Sequence, residues 1–216
     1  MKLLRLDHDG LLDYTHRQLS NFFPDSRPAD RQVMAAHMPE ALARIGRCIN
    51  HVRCWTPDTF DHLHSTQYCL YLYYLSNTLW RNTGDNELAT RLFLLNKALN
   101  GIDCFYEIEL PDVMFIGHSV GIVLAKATYG SHLVLYQNST VGKNHGIAPV
   151  IGEGVVMYPN TAIIGRCQIG NGTVLAQGVS IINRDTPGNC YAFANGHGGL
   201  HFTAPKRDIL ADIFRS

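Results

Sequence analysis

The 216 residues are 46% hydrophobic and 17% charged, which excludes a disordered chain and provides for a substantial core. Eighteen basic residues balance eighteen acidic ones. A formal net charge of zero leaves no field to hold nucleic acid or an anionic membrane.

The first residues, Met1 to Asp7, lack the apolar core of a signal peptide. The longest apolar run, 68–75, stops at Ser76-Asn77, well short of a membrane span. Six cysteines (48, 54, 69, 104, 167, 190) show neither CxxC nor disulfide-module spacing, so a reducing cytoplasmic setting is expected. Residues 8–100 read as helices. The first is expected over 11–22. Pro28 suits a helix start, and Pro39 is expected to break or kink the next helix. Leu42, Ile45, Ile49 and Val52 then mark one helical face. Ser65 or Thr66 is a candidate cap for a helix over 67–81 that ends near Gly84 and is apolar on most sides. Asp85 is a candidate cap for a fourth helix over 87–99, closed by Asn100-Gly101.

From 110 to 187 the chain repeats in sixes. Leu110, Ile116, Ile122, Thr128, Val134 and Thr140 fall on one beat; Ile151, Met157, Ile163, Ile169, Leu175 and Ile181 fall on the next. A fixed period of six is the signature of a parallel β-helix in which three hexapeptides make one coil. The class is α+β: a helical domain (1–101), a β-helix (102–187) and a C-terminal tail (188–216) ending in a helix near 205–214. A solenoid needs both ends covered, and the helices and the tail are suited to cover one each. From Thr140 to Ile151 the repeat gains five residues, which a regular coil can expel only as a loop. That loop carries His145.

Two further histidines, His118 and His132, lie in the first half of the coil. His132 reads as a solvated surface residue. Asp103 precedes His118 by fifteen residues, nearly one coil, so its carboxylate is a candidate to fix the imidazole tautomer. Read alone, Asp103 is a turn residue between helix and coil. No zinc ligand set is expected, because 118, 132 and 145 lack the close histidine pair of β-helical carbonic anhydrases.

The runs Ile102-Asp103-Cys104-Phe105, Ile116-Gly117-His118-Ser119-Val120-Gly121 and Asn144-His145-Gly146-Ile147-Ala148-Pro149-Val150 resemble the serine acetyltransferase family of hexapeptide acyltransferases. The likeness covers about residues 60–187. The stretch from His64 to Trp80 resembles members from surface-polysaccharide gene clusters. The resemblance implies a left-handed coil, a homotrimer and acetyl-CoA bound in the groove between adjacent coils. Pairing of trimers through the helical domain stays open. It places the catalytic base at His118, its aspartate at Asp103 and the loop histidine at His145. The family's acceptor-holding aspartate and arginine fall on Gly117 and Asn144, so both charges are missing here. Gly178, with Ala176 and Ser180, is expected along the pantetheine. Asp58 and His64, before the apolar helix, are candidates to reach the acceptor.

The function this implies is acetyl-CoA-dependent O-acetylation of a sugar or other small hydroxyl acceptor, by direct attack on the thioester with His118 as general base. Serine O-acetylation, sugar N-acetylation and a non-catalytic hexapeptide scaffold are the alternatives.

Overall fold

The computed structural model describes residues 1–25, 27, 29–196 and 199–215. An N-terminal helical domain leads into a left-handed parallel β-helix, and the tail returns along the coil toward the helices.

Each of the first two helices begins at an aspartate. Gly10 N–H donates to Asp7 Oδ1 at 2.7 Å ahead of α1 (His8–Phe22), and Gln32 and Val33 N–H donate to Asp30 Oδ1 ahead of α2 (Arg31–His51). Pro28, the expected start signal, lies outside the described residues. Pro39 does not break α2. It sits on the exposed side, while Met34, Met38, Ala41, Leu42, Ile45 and Ile49 bury the other side. That burial outweighs the ~3 kcal/mol an internal proline costs.

The helix α3 (Ser65–Thr83) starts two residues earlier than its apolar pattern, with His64 as a cap residue whose side chain makes no capping bond. Ser65 and Thr66 lie inside the helix rather than capping it. Every residue from Thr66 to Leu79 is buried. α2 flanks α3 on one side and α4 (Asn86–Asn100) on another. The chain entering the coil covers a third side: Tyr73 OH donates to Ile108 O at 2.5 Å, Tyr74 OH to Pro111 O at 3.0 Å and Asn77 Nδ2 to Tyr106 O at 2.7 Å. The apolar helix is therefore consumed within one chain. Asp85 caps α4 as expected, and Gly101, at φ 65°, ends it.

The coil has three faces. A hairpin face stacks Met114–Ile116, Leu133–Leu135, Val156–Met157, Thr173–Leu175 and Cys190–Ala194, with Leu200–Thr203 added antiparallel. A bare face stacks Asp103–Cys104, Val123–Leu124, Thr140–Gly142, Ala162–Ile164 and Ser180–Ile182. A narrow face stacks Thr128–Tyr129, Val150–Ile151 and Gln168–Ile169. All pairings between successive coils are parallel.

The expected beat holds from Ile151 onward, but before it the inward residues fall on a different phase. The inward residues of the second coil are Tyr129, Leu135 and Val141, in register with Ile151, Met157 and Ile163. Thr128, Val134 and Thr140 are each one place off. Two extra residues between Ile116 and Leu124, and one fewer before Tyr129, shift the phase by one. The expelled loop accordingly adds four residues between Val141 and Ile151, not five.

The tail also departs from expectation. Cys190–Ala194 pairs parallel with Thr173–Leu175, so residues beyond 187 still build one face of the coil. The last helix, α5 (Ile209–Ile213), is shorter than anticipated and is capped by Asp208. Only the hairpin stays at the far end. The rest runs back: Phe214 bridges Val52, and the Arg215 guanidinium donates to the carbonyls of Ile49, Asn50, Val52, Arg53 and Trp55. Carbonyls at a helix C-terminus have no partner within the helix, and Arg215 supplies one. Arg215→Ala is expected to remove about 1–3 kcal/mol of stability and lower Tm by several degrees in scanning calorimetry.

Candidate functional site

Three corners join the faces, and the predicted site residues on the coil other than Asp103 fall on or beside two of them. At the corner from the hairpin face to the bare face, four residues take the left-handed conformation in successive coils: Gly121 (φ 75°), Asn138 (59°), Asn160 (61°) and Gly178 (76°). Asn138, Asn160 and Gly178 N–H donate to the carbonyls of Val120, Gln137 and Pro159 in the coil before. Glycine or asparagine meets the conformational demand at this corner. A Cβ at Gly178 would meet nothing within 4 Å, so its surroundings are open.

His118 stands on this same corner with an exposed side chain. Its backbone is pinned on the following residues: Ser119 Oγ donates to Asn100 O at 2.7 Å and Gly121 N–H to Gly101 O at 2.9 Å. Ala176 and Ser180 flank Gly178 there, Ala176 half-buried and Ser180 exposed. The corner thus collects His118, Gly117, Ala176, Gly178 and Ser180.

Asp103 is not bonded to His118 among the described residues. It is in register with Val123, twenty residues on, because the corner before Val123 holds the two extra residues. Its carboxylate accepts from Lys97 Nζ at 2.7 Å instead. Both side chains are substantially exposed, so the pairing is of the weak surface kind.

His145 lies on the next corner, between the bare and narrow faces. Asn144 and Ile147 exchange two backbone hydrogen bonds of 3.0 Å, closing a two-residue hairpin over His145 (φ 48°) and Gly146 (φ 80°). Positive φ at both central residues is the type I′ requirement, and glycine and histidine at these places bear it. The imidazole is exposed at the tip. Asn144 sits at the base, against Gly165 of the next coil. Within one chain, His118 and His145 occupy opposite edges of the bare face.

His132 is not simply solvated. It sits at the third corner, with Nδ1 3.5 Å from Glu153 Oε1 and its ring 5.0 Å from that of Phe214, edge-on. Asp58 is committed to a turn: Asn50 Nδ2 donates to its carboxylate at 2.9 Å, and its own N–H donates to Asn50 Oδ1 at 2.7 Å. His64 reaches the first corner only through other rings. It lies 5.7 Å from Trp55, which lies 5.8 Å from Phe115, which lies 6.3 Å from Tyr136.

Sequence reasoning missed Tyr136 and Tyr158 at that corner. Their rings stack at 5.4 Å and 16°. A Cβ on Gly117 would lie 2.5 Å from Tyr136 Cε1. Burial, then the neighbouring Tyr158 and Cys54, push the Tyr136 phenol up, so it stays neutral and is no base at physiological pH. Their positions one after the inward Leu135 and Met157, in consecutive coils, are the signal that would have found them.

No helix among the described residues is long and apolar enough to cross a membrane. No group of three or more histidine, cysteine, aspartate or glutamate side chains among them is placed to hold a metal ion.

No family model and no curated protein sequence matches the chain. Solved structures do. Serine acetyltransferase from Vibrio cholerae superposes with a TM-score of 0.68 at 22% identity, covering 93% of this chain and 83% of that one. The Neisseria gonorrhoeae enzyme, solved with serine, gives 0.64 at 17%, covering 89% and 84%. Isoform 3 from Entamoeba histolytica, solved with cysteine, gives 0.61 at 18%, covering 93% and 74%. At these identities it is the architecture that is shared: a helical domain followed by a parallel coil makes this a chain with the serine acetyltransferase fold.

Proposed function

We propose that the chain is an acetyl-CoA-dependent O-acetyltransferase that acts on a neutral hydroxyl acceptor, such as a sugar, and works as a cyclic homotrimer. The observation that carries the reading is the first corner. An exposed imidazole, His118, shares one edge of an acyltransferase fold with the open Gly178 segment, and its neighbour at 117 carries no charge.

What supports the trimer is where apolar side chains are left over. Val120, Val123 and Ile182, on and beside the bare face, are 65%, 44% and 51% exposed, and Ile147 in the loop is 49% exposed. Three coils that turn the bare face toward a common axis cover these residues. The same symmetry sets the His118 edge of each chain against the His145 edge of the next. Acetyl-CoA then lies between two coils as a substrate, with Ala176, Gly178 and Ser180 along it.

In this reading His118 takes the proton of the acceptor hydroxyl as its oxygen attacks the thioester carbon. The C–S bond then breaks, and His118 returns the proton to the departing sulfur. Asp103 turns from Lys97 to His118 at little cost and holds the ring's tautomer. His145, or backbone N–H groups of its loop, donates to the carbonyl oxygen as negative charge develops. Serine O-acetylation is the second reading, favoured by the neighbours' own names. Against it, Gly117 and Asn144 offer no charged pair to an ammonium and a carboxylate. The loss of such partners is worth roughly 2–5 kcal/mol each. Thiol release from acetyl-CoA, measured with serine and with a panel of sugars and nucleotide sugars, tests this. A sugar is expected to outpace serine by at least about 10²-fold in kcat/KM. Serine turnover equal to the best sugar would overturn the acceptor assignment.

A further inference from the structure

The register that aligns Ile116, Leu135, Met157 and Leu175 on the inside also aligns the residues after them on the outside. That outer column reads Gly117, Tyr136, Tyr158, Ala176: two aromatic rings between two small residues. The rings stack nearly parallel, and both are only half-buried. Tyr136 is also backed edge-on by Phe115, with Trp55 behind it. It is therefore a braced ring, not a loose surface side chain. Its Cδ1 and Cε1 atoms fill the space at 2.6 and 2.5 Å from where a side chain at 117 would begin. The ring stands where a residue other than glycine would project, at the position that precedes His118 in the chain.

We infer that Tyr136, braced by Tyr158, is the specificity-determining residue of this site and forms the wall against which the pyranose ring of a neutral sugar acceptor lies. The inference rests on reading His118 as the base of an O-acetyltransferase. One face of a pyranose presents C–H groups and is apolar, while the hydroxyls lie at the rim. An aromatic face is electron-rich and apolar, and the phenol at its edge donates and accepts hydrogen bonds. A sugar laid on such a ring exposes a rim hydroxyl to the adjacent imidazole. A braced tyrosine also loses little conformational freedom on binding. A free amino acid gains less here. The ring attracts its ammonium weakly, and its carboxylate finds no cation at 117 or 144.

The experiment uses the full-length protein with methyl α-glucoside, methyl α-galactoside and methyl N-acetyl-α-glucosaminide as probes. Tyr136→Ala is expected to raise the KM of the preferred glycoside about tenfold, equivalent to ~1.4 kcal/mol, with kcat within about twofold and the KM for acetyl-CoA unchanged. Saturation-transfer NMR on His118→Ala reads sugar binding without turnover. The glycoside's axial protons are expected to be saturated in that variant and lose the signal in His118→Ala/Tyr136→Ala. Loss there stands even if His118 proves not to be the base, which separates the two claims. Gly117→Asp is expected to lower Tm, and Gly117→Asp/Tyr136→Ala to recover it, because removing the ring opens the space. An unchanged glycoside KM in a folded Tyr136→Ala protein, or Gly117→Asp with wild-type Tm, would overturn the inference.

Discussion

His118→Ala is expected to lower kcat by about 10²-fold or more, with the KM for acetyl-CoA little changed. The reason is local. The imidazole is exposed on a corner whose backbone is fixed by Ser119 and Gly121, so truncation removes a proton acceptor without opening the core. Asp103→Ala is expected to cost less, because a carboxylate that orients the ring does not itself carry the proton. Lys97 supplies the control. If Asp103 serves only its ion pair with Lys97, Lys97→Ala and Asp103→Ala will look alike. If Asp103 serves His118, Lys97→Ala frees the carboxylate and leaves kcat at or above wild type, while Asp103→Ala alone loses it. Steady-state kinetics on the three variants decide between these outcomes.

His145→Ala carries the second large effect. Removing a donor to the developing oxyanion typically costs about 10²–10³-fold in kcat. His145 sits at the tip of a two-residue hairpin, exposed and clear of the core, so the variant is expected to keep wild-type stability. A variant that folds normally and turns over at the wild-type rate would remove the loop from the site.

Much of this architecture was legible in the sequence because burial writes itself as periodicity. Ile151, Met157, Ile163, Ile169, Leu175 and Ile181 keep strict time, and each is buried in the coil. Helix ends at Asp85, Gly84 and Gly101 were legible from cap chemistry. The misread positions in the coil share a cause. Thr128, Val134 and Thr140 satisfied a period of six that two extra residues before Leu124 and one fewer before Tyr129 had shifted by one, and a β-strand slipped by one residue turns every side chain over. The same two extra residues lengthen the first coil, so Asp103 comes into register with Val123, twenty residues on. Pro39 misled because propensity acts locally, whereas the buried face of α2 decides whether that helix continues. Tyr136 and Tyr158 become legible only once Leu135 and Met157 are known to point inward, and the clamp of Arg215 rests on contacts between residues far apart in the chain that no local pattern announces.

The separation of His118 and His145 onto opposite edges of the bare face carries the central claim, that each site is built between two chains. Co-expressing His118→Ala and His145→Ala chains in equal amounts tests it. Alone, each variant forms trimers in which every site is damaged. In mixed trimers, a chain with intact His118 will meet a neighbour with intact His145 at roughly a quarter of the interfaces. The mixture is therefore expected to recover about a quarter of wild-type kcat per chain, far above the sum of the two variants. Activity no greater than that sum, in a preparation shown by mass spectrometry to contain mixed trimers, would contradict a shared site.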